Sequence, residues 1–469
     1  MSQKLPEKFS KKIPKEILSV FKKFTDQGHE IYLVGAGVRS LLQNKVPIDC
    51  DFTTKATPKI IQALFDDSFY DNAFGTVGIP FKTKRGEEVY EITTYRKEWG
   101  YSDKRRPDEV KWGKKLEEDL RRRDFTFNAI VIGPILKNGQ WDQKSLELID
   151  LFDGQKDFKN KIVKAVGDPD KRFSEDALRM MRAIRFAAQQ GFTIEKKTFQ
   201  AIKKNNQLID QISKERVRDE LFKILTSDHA ADGYSILRNS GLAEIILPEV
   251  KKMFGVEQKS PGRHHLDDVG THAIKSLKAS NSRDPVVNLA ILIHDVGKPL
   301  VADKDKKGTI TFYNHEMVGT HLARNIARRL KFSKKDENRL ITLVRWHQFS
   351  VDERQTDKAI RRFIKNIGKE NLTDMLELRR ADRVGGGARE TSWRFERFKK
   401  KLVEVQKQPF SITDLKVNGQ DVMKILGIRP GPVVGRILSQ LFEEIEEDKS
   451  KNKRAYLLKR IKQLGKKLA

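Results

Sequence analysis

Two aspartates one residue apart, Asp49 and Asp51, stand in an otherwise apolar and β-branched stretch, IYLVGAGVRSLLQNKVPIDCDFTTKATP, running from Ile31 to Pro58. Alternate residues of a strand share a face, so the spacing predicts both carboxylates on one side of a sheet and Cys50 on the other. Carboxylates that close repel one another unless a cation lies between them. Mg²⁺ favours carboxylates together with substrate phosphates, and two such ions can hold an attacking hydroxyl and a leaving phosphate oxygen. A third carboxylate completes such a site. Glu91 in VYEITTYR is the best candidate, with Thr93 on the same face of its strand. The preceding turn, GAGVRSLL, starts with Gly35 and Ala36 and runs into a helix predicted over residues 38–43. Its backbone N–H groups would face an anion, and Arg39 would pair with a phosphate. Taken alone, a DxD is more often a solvated strand end.

Residues 174–190, SEDALRMMRAIRFAAQQ, are predicted as one helix capped by Ser174. Leu178, Met181, Ile184 and Ala188 make its apolar stripe; Glu175, Asp176, Arg179 and Arg182 make a polar one. Salt bridges on a wet face are the plain reading. A carboxylate beside a guanidinium also matches the pairing edge of cytosine and adenine, each of which presents an amino donor next to a ring-nitrogen acceptor. Asp176 would accept from the amino group and Arg179 would donate to the ring nitrogen. Uracil and guanine present the opposite pattern, and each polar group left unmatched costs ~1–3 kcal/mol. Farther along, HHLDDVGTHA, LAILIHDVGKP and RRADRVG supply His272, His294, Asp295 and Asp382. Imidazoles and carboxylates together suit a divalent transition metal, and His315, His321 and His347 are further candidates.

The elements that must position these groups fall into two regions. Short β-branched runs (IYLV, DCDFTT, FGTVGIPFKT, VYEITTYR) alternate with helical patterns up to about Gly154, a mixed α/β head. After about residue 165 the chain reads as amphipathic helices broken at Asn, Gly and Pro, with KGTITFYNH as a short hairpin. Of 469 residues, 93 are Lys or Arg and 65 Asp or Glu, a net charge of +28 that persists along the chain. Such a surface favours a polyanion, nucleic acid or an anionic membrane. The longest apolar run, near LAILI, falls far short of the ~20 residues that span a bilayer. The start, MSQKLPEKFSKKIPKE, lacks the apolar core of a signal peptide. One cysteine, Cys50, allows no internal disulfide, which fits a reducing cytoplasm.

The order of these segments resembles the bacterial-type tRNA nucleotidyltransferase/poly(A) polymerase family. LVGAGVRSLL…DCDFTT is similar to its head motif. EITTYR and GYSDKRRPDEVKWGKKLEEDLRRRDFTFNAI are similar to its basic loop and Arg-Arg-Asp-Phe-Thr block. FSEDALRMMRAIRFAAQQGF, SKERVRDELFKIL and NGQDVMKILGIRPGPVVGRIL resemble the base-reading helix, the neck segment and the C-terminal element, with an HD-type metal domain between. Where the family usually reads Gly-Gly-x-Val-Arg-Asp, this chain has Gly35-Ala36-Gly37-Val38-Arg39-Ser40. The resemblance implies an α+β fold: a DNA polymerase β-like nucleotidyltransferase head over residues 1–155, then an all-α chain. That chain would comprise a neck binding the nucleotide base and RNA (156–250), an HD-type metal-binding body (251–400) and a helical tRNA-binding tail (401–469). It implies addition of C, C and A to the tRNA 3′ end from CTP and ATP, with two Mg²⁺ ions on Asp49 and Asp51 and release of pyrophosphate. The nucleotide would be bound by Gly35, Ala36, Arg39, Arg123, Asp124, Asn128, Asp176, Arg179 and Arg182. An enzyme adding only A is the alternative within the family. From another class, the alternative is an HD-type phosphohydrolase with an inactive, RNA-binding head.

Overall fold

The computed structural model describes residues 2–71, 75–83, 85–99, 109–258, 267–349, 351–352, 354–406 and 412–468. The expected basic loop between Tyr101 and Lys115 lies for the most part outside the described residues, as does the start of HHLDDVGTHA. Eight strands form one mixed sheet in the order Ser2–Lys4, Gln140–Asp150, Ile130–Lys137, Ile31–Val34, Asp51–Thr54, Gly86–Thr94, Thr76–Thr83, Phe69–Asp71. The central strands are β-branched and buried along most of their length, as expected where both faces are covered. Helix Lys15–Thr25 lays Ile17, Val20, Phe21 and Phe24 on the sheet. That i, i+3, i+4, i+7 spacing is one helical face, and Phe21 meets Phe52 and Trp141 edge-on at 5.9 Å each.

Register delivers the chemistry. Asp51 pairs with Val34 on the antiparallel side and with Glu91 on the parallel side. One correction concerns Asp49. The strand begins at Asp51, and Asp49 precedes it with φ of 54°, in the left-handed region that Asp tolerates better than most residues. The two aspartates therefore do not share a strand face by pleat alternation; the turn brings Asp49 round. Cys50 does enter the core as expected.

From Gly154 onward the chain is almost wholly helical. Among the described residues, two short exceptions are the parallel pair Ile162–Val163 with Thr193–Ile194 and the predicted hairpin, Asp303–Lys304 with Ile310–Thr311. The helix expected over residues 174–190 is two helices, Pro169–Glu175 and Leu178–Gln190, with Asp176 extended between them. Ser174 is consequently no N-cap; its hydroxyl donates to the carbonyl of Lys171 within the first helix. Leu178, Met181, Ile184 and Ala188 are all buried. One hydrophobic core runs from Leu5 to Val405, whereas Leu415 to Leu464 form a separate cluster within and just before the last three helices. No helix among the described residues is long and apolar enough to cross a membrane.

Candidate active site in the head and a histidine cluster in the body

Gly35 turns the chain from strand Ile31–Val34 into helix Ala36–Leu42 with φ of 70° and ψ of −127°, a conformation only glycine adopts without strain. A Cβ there would lie 3.0 Å from Asp51 Oδ2, so the turn and the carboxylate are in close contact. Burial raises the Asp51 carboxyl to about 7; Asp49 and Glu91 push the same way, against Arg123 and Arg39. Three acids thus converge, and two arginines face them. Oxygen ligands of this kind fit Mg²⁺.

Arg39 does not rely on its neighbour Ser40, whose hydroxyl donates to the carbonyl of Ala36 at 3.1 Å. Its guanidinium donates to Asn128 Oδ1 and lies 5.2 Å from the centre of the Phe186 ring. Burial lowers its pKa to about 10, with Asp124 opposing that shift. Asn128 in turn donates to Asp124 Oδ1 at 2.8 Å, and Arg182 holds Asp124 Oδ2 through Nε and Nη2 at 2.8 and 2.5 Å. Burial disfavours the Asp124 charge, but Arg182 and Asn128 outweigh it and hold the carboxyl well below its ordinary range. The sequence therefore supplied four nucleotide-site candidates, Arg39, Asn128, Asp124 and Arg182, that form one hydrogen-bonded relay from head to neck. Arg185 also stacks on Phe186, at 4.5 Å, and pairs with Glu220 at 2.9 Å.

Arg123 is oriented by a residue not singled out from sequence. Asp119 is fully buried and accepts from Arg122 (Nε 2.9 Å, Nη2 2.6 Å), Arg123 (3.2 Å) and Thr53 (3.2 Å). Burial opposes its ionisation; the two arginines prevail and hold its carboxyl at about 2. An acid inside the run LEEDLRRRD was the available signal.

Asp176 and Arg179 are neighbours but not partners. Arg179 donates to Glu175 at 2.9 Å and to the carbonyls of Arg172 and Arg122. Glu175 also holds Arg172 at 2.6 Å. Asp176 instead accepts from Arg216 at 3.2 Å, forty positions on, a contact no local spacing reveals. The face is not wet either, since the Glu175 and Arg179 side chains are only 14% and 11% exposed. Asp176 sits at the helix break, and its other oxygen accepts from the backbone N–H of Leu178 at 3.1 Å.

In the body, His294 ends helix Pro285–Ile293 and His272 lies in helix Val269–Lys278. Asp382 comes from helix Leu372–Gly385. Asp295, His315 and His347 complete the cluster, so two of the three further histidines join it; His321 does not. Burial alone would lower the His294 pKa, but Asp295 and Asp382 raise it to about 8.

Comparison with known proteins bears on both regions. Residues 31–164 match the poly A polymerase head domain, and residues 191–254 a probable RNA- and SrmB-binding site of polymerase A. Residues 306–461 match a putative tRNA nucleotidyltransferase domain 2. A CCA-adding enzyme of Pediococcus pentosaceus is 30% identical over 451 residues, 96% of this chain and 97% of that protein. One from Lactobacillus helveticus is 45% identical over 242 residues, 51% of this chain and 56% of that protein, so this match spans about half of the relative's length. The crystal structure of the Bacillus stearothermophilus CCA-adding enzyme in complex with CTP superposes with a TM-score of 0.67 at 25% identity, over 99% of this chain and 100% of that one. The fold is that of the nucleotidyltransferases with a polymerase β-like head. Within that class, the chain belongs to the tRNA nucleotidyltransferase/poly(A) polymerase family.

Proposed function

We propose that the protein is a CCA-adding enzyme: it extends the tRNA 3′ end by C, C and A, using CTP and ATP and releasing pyrophosphate. The observation that carries this is the register of Asp51 against Glu91 beside the Gly35 turn, with Asp49 brought alongside and Arg39 and Arg123 opposite. When bound by Asp49 and Asp51 with Glu91, two Mg²⁺ ions would supply the positive charge against which a 3′-hydroxyl attacks and pyrophosphate leaves. Arg39, held by Asn128, and Arg123, held by Asp119, are oriented to bind the triphosphate as fixed guanidinium forks. Asp176 and Arg179 read the amino group and ring nitrogen of C or A. Because Arg216 and Glu175 already engage them, they are presented at set angles instead of sampling rotamers. The net charge of +28 supports an RNA partner bound through its phosphates, and the single cysteine supports a cytoplasmic setting.

The test supplies CTP and ATP separately to tRNAs ending before the first C, the second C or the A. Incorporation of C on the first two and A on the third is expected. Incorporation of A alone would establish the A-adding or poly(A) alternative. Asp49→Ala should abolish all incorporation; undiminished incorporation would remove that residue from the metal site.

The convergence of His272, His294, Asp295 and Asp382 favours a second reading for the body, a metal-binding site of HD type able to hydrolyse a phosphoester. Metal-dependent release of phosphate from p-nitrophenyl phosphate, lost in His294→Ala, tests it independently of the head.

A further inference from the structure

A cleft of about 530 Å³ opens between helices Glu7–Ser10, Ala36–Leu42 and Gly154–Lys159 and the C-terminal end of helix Leu178–Gln190. Its volume falls in the ~300–1,000 Å³ range of small-molecule sites. Three kinds of group line it. Phe9 and Phe158 are partly exposed and Phe192 is buried, and the rings of Phe158 and Phe192 meet edge-on at 5.3 Å. Lys8, Lys159 and Lys161 are exposed around it, and no acid lines it. Among the described residues no carboxylate engages these three ammonium groups; Lys8 Nζ lies 4.8 Å from the centre of the Phe9 ring. Gln43 Nε2 donates to Gln190 Oε1 at 2.5 Å. Gln43 Oε1 and Gln190 Nε2 then remain as an acceptor and a donor, neither taken by another group among the described residues.

These three kinds of group answer the three parts of a nucleotide. Aromatic side chains stack on any base, since every base has a π-face. Side-chain amides offer donor and acceptor together, as base edges require. Ammonium groups without carboxylate partners attract phosphate. A neutral apolar ligand would leave the lysines unused, and a simple anion would leave the rings and amides unused.

The cleft is separate from the candidate triphosphate site. Gln43 follows Arg39 by one helical turn, and Gln190 lies two turns beyond Arg182, about 12 Å along the helix. A run of rings connects the two places: Phe192 lies 6.2 Å from Phe127, Phe127 lies 5.3 Å from Phe186, and Arg39 sits over Phe186.

We propose that this cleft binds a nucleoside phosphate unit, either a free mononucleotide or an unpaired residue of RNA. Its base lies against the Phe9 and Phe158 rings, its base edge meets Gln43 and Gln190, and its phosphate meets Lys159 and Lys161. The site does not depend on the reaction assigned to the head and gives the chain a nucleotide contact outside the carboxylate centre.

The experiment photolabels the full chain with 2-azido-AMP in the presence of EDTA and maps the labelled peptides by mass spectrometry. Label is expected on peptides carrying Phe9, Phe158 or Gln190, apart from any label near Arg39 or Arg123. Lys159→Glu combined with Lys161→Glu should cut the cleft label by roughly tenfold, as phosphate attraction is lost, with unchanged circular dichroism. Phe9→Ala should do the same and serves if the charge reversals disturb folding. Competition separates the two sources: AMP as the better competitor identifies a free nucleotide, and a short oligoadenylate as the better competitor identifies RNA. Displacement by inorganic phosphate at the same concentration as AMP would overturn the base contacts and leave a general anion patch. Absence of label from the cleft peptides, or cleft label unchanged in both variants, overturns the proposal.

Discussion

Asp51 is a largely buried carboxyl that lies beside two other acids. Its pKa, raised from 3.8 to about 7 by burial and then by Asp49 and Glu91, favours the folded state fully below the unfolded value and loses that contribution as pH rises through about 7. In metal-free protein above that pH, three carboxylates repel. Asp51→Asn should accordingly raise the melting temperature of metal-free protein at pH 8 more than at pH 5, and Mg²⁺ should raise it at pH 8 only when Asp51 is intact. Equal effects at both pH values would contradict this electrostatic account. Arg179 allows a second measurement at this scale. Arg179→Ala should reduce the preference for CTP over UTP by roughly 5- to 150-fold, the ratio given by ~1–3 kcal/mol of lost hydrogen bonding. Unchanged selectivity would remove Arg179 from base reading.

At the scale of elements, the site depends on two backbone irregularities and one buried acid. At Gly35 a side chain would crowd Asp51, and at Asp176 the extended backbone separates two helices. Asp119 ties helix Leu116–Arg121 to strand Asp51–Thr54 through Thr53 while pinning Arg122 and Arg123. Its carboxyl, held at about 2, contributes stability above 3.8 that is lost as pH falls toward 2. Asp119→Asn should cost roughly 2 kcal/mol at pH 7, about the size of the shift, and less at pH 3, as read by urea unfolding. It should also raise the KM for nucleotide, because Arg123 loses its orientation.

At the scale of the molecule, one core unites sheet, neck and body, while the last three helices enclose Leu415, Val422, Ile437, Leu441, Leu457 and Ile461 in a core of their own. Ending the chain at residue 406 should therefore leave the main thermal transition within a few degrees of its original position. It should weaken tRNA binding, since that tail is rich in Lys and Arg. A large drop in melting temperature would show that the tail supports the body. Binding of tRNA to the intact chain should fall steeply with salt, as phosphate contacts release counterions.

The sequence by itself determined what depends on local periodicity and residue type. It disclosed the sheet-forming runs, the helical remainder, the buried stripe of Leu178, Met181, Ile184 and Ala188, and the acids and histidines with ligand chemistry. These follow from side-chain volume, branching and charge, which act over a few residues. Tertiary structure alone decided the pairings of Asp176 with Arg216 and Arg39 with Asn128, and the division of His315 and His347 from His272 and His294 across Asp295. Those contacts join positions 40, 89, and 20 to 52 residues apart. A buried charge takes whichever partner the packed elements bring within about 3 Å, and no spacing along the chain encodes that choice.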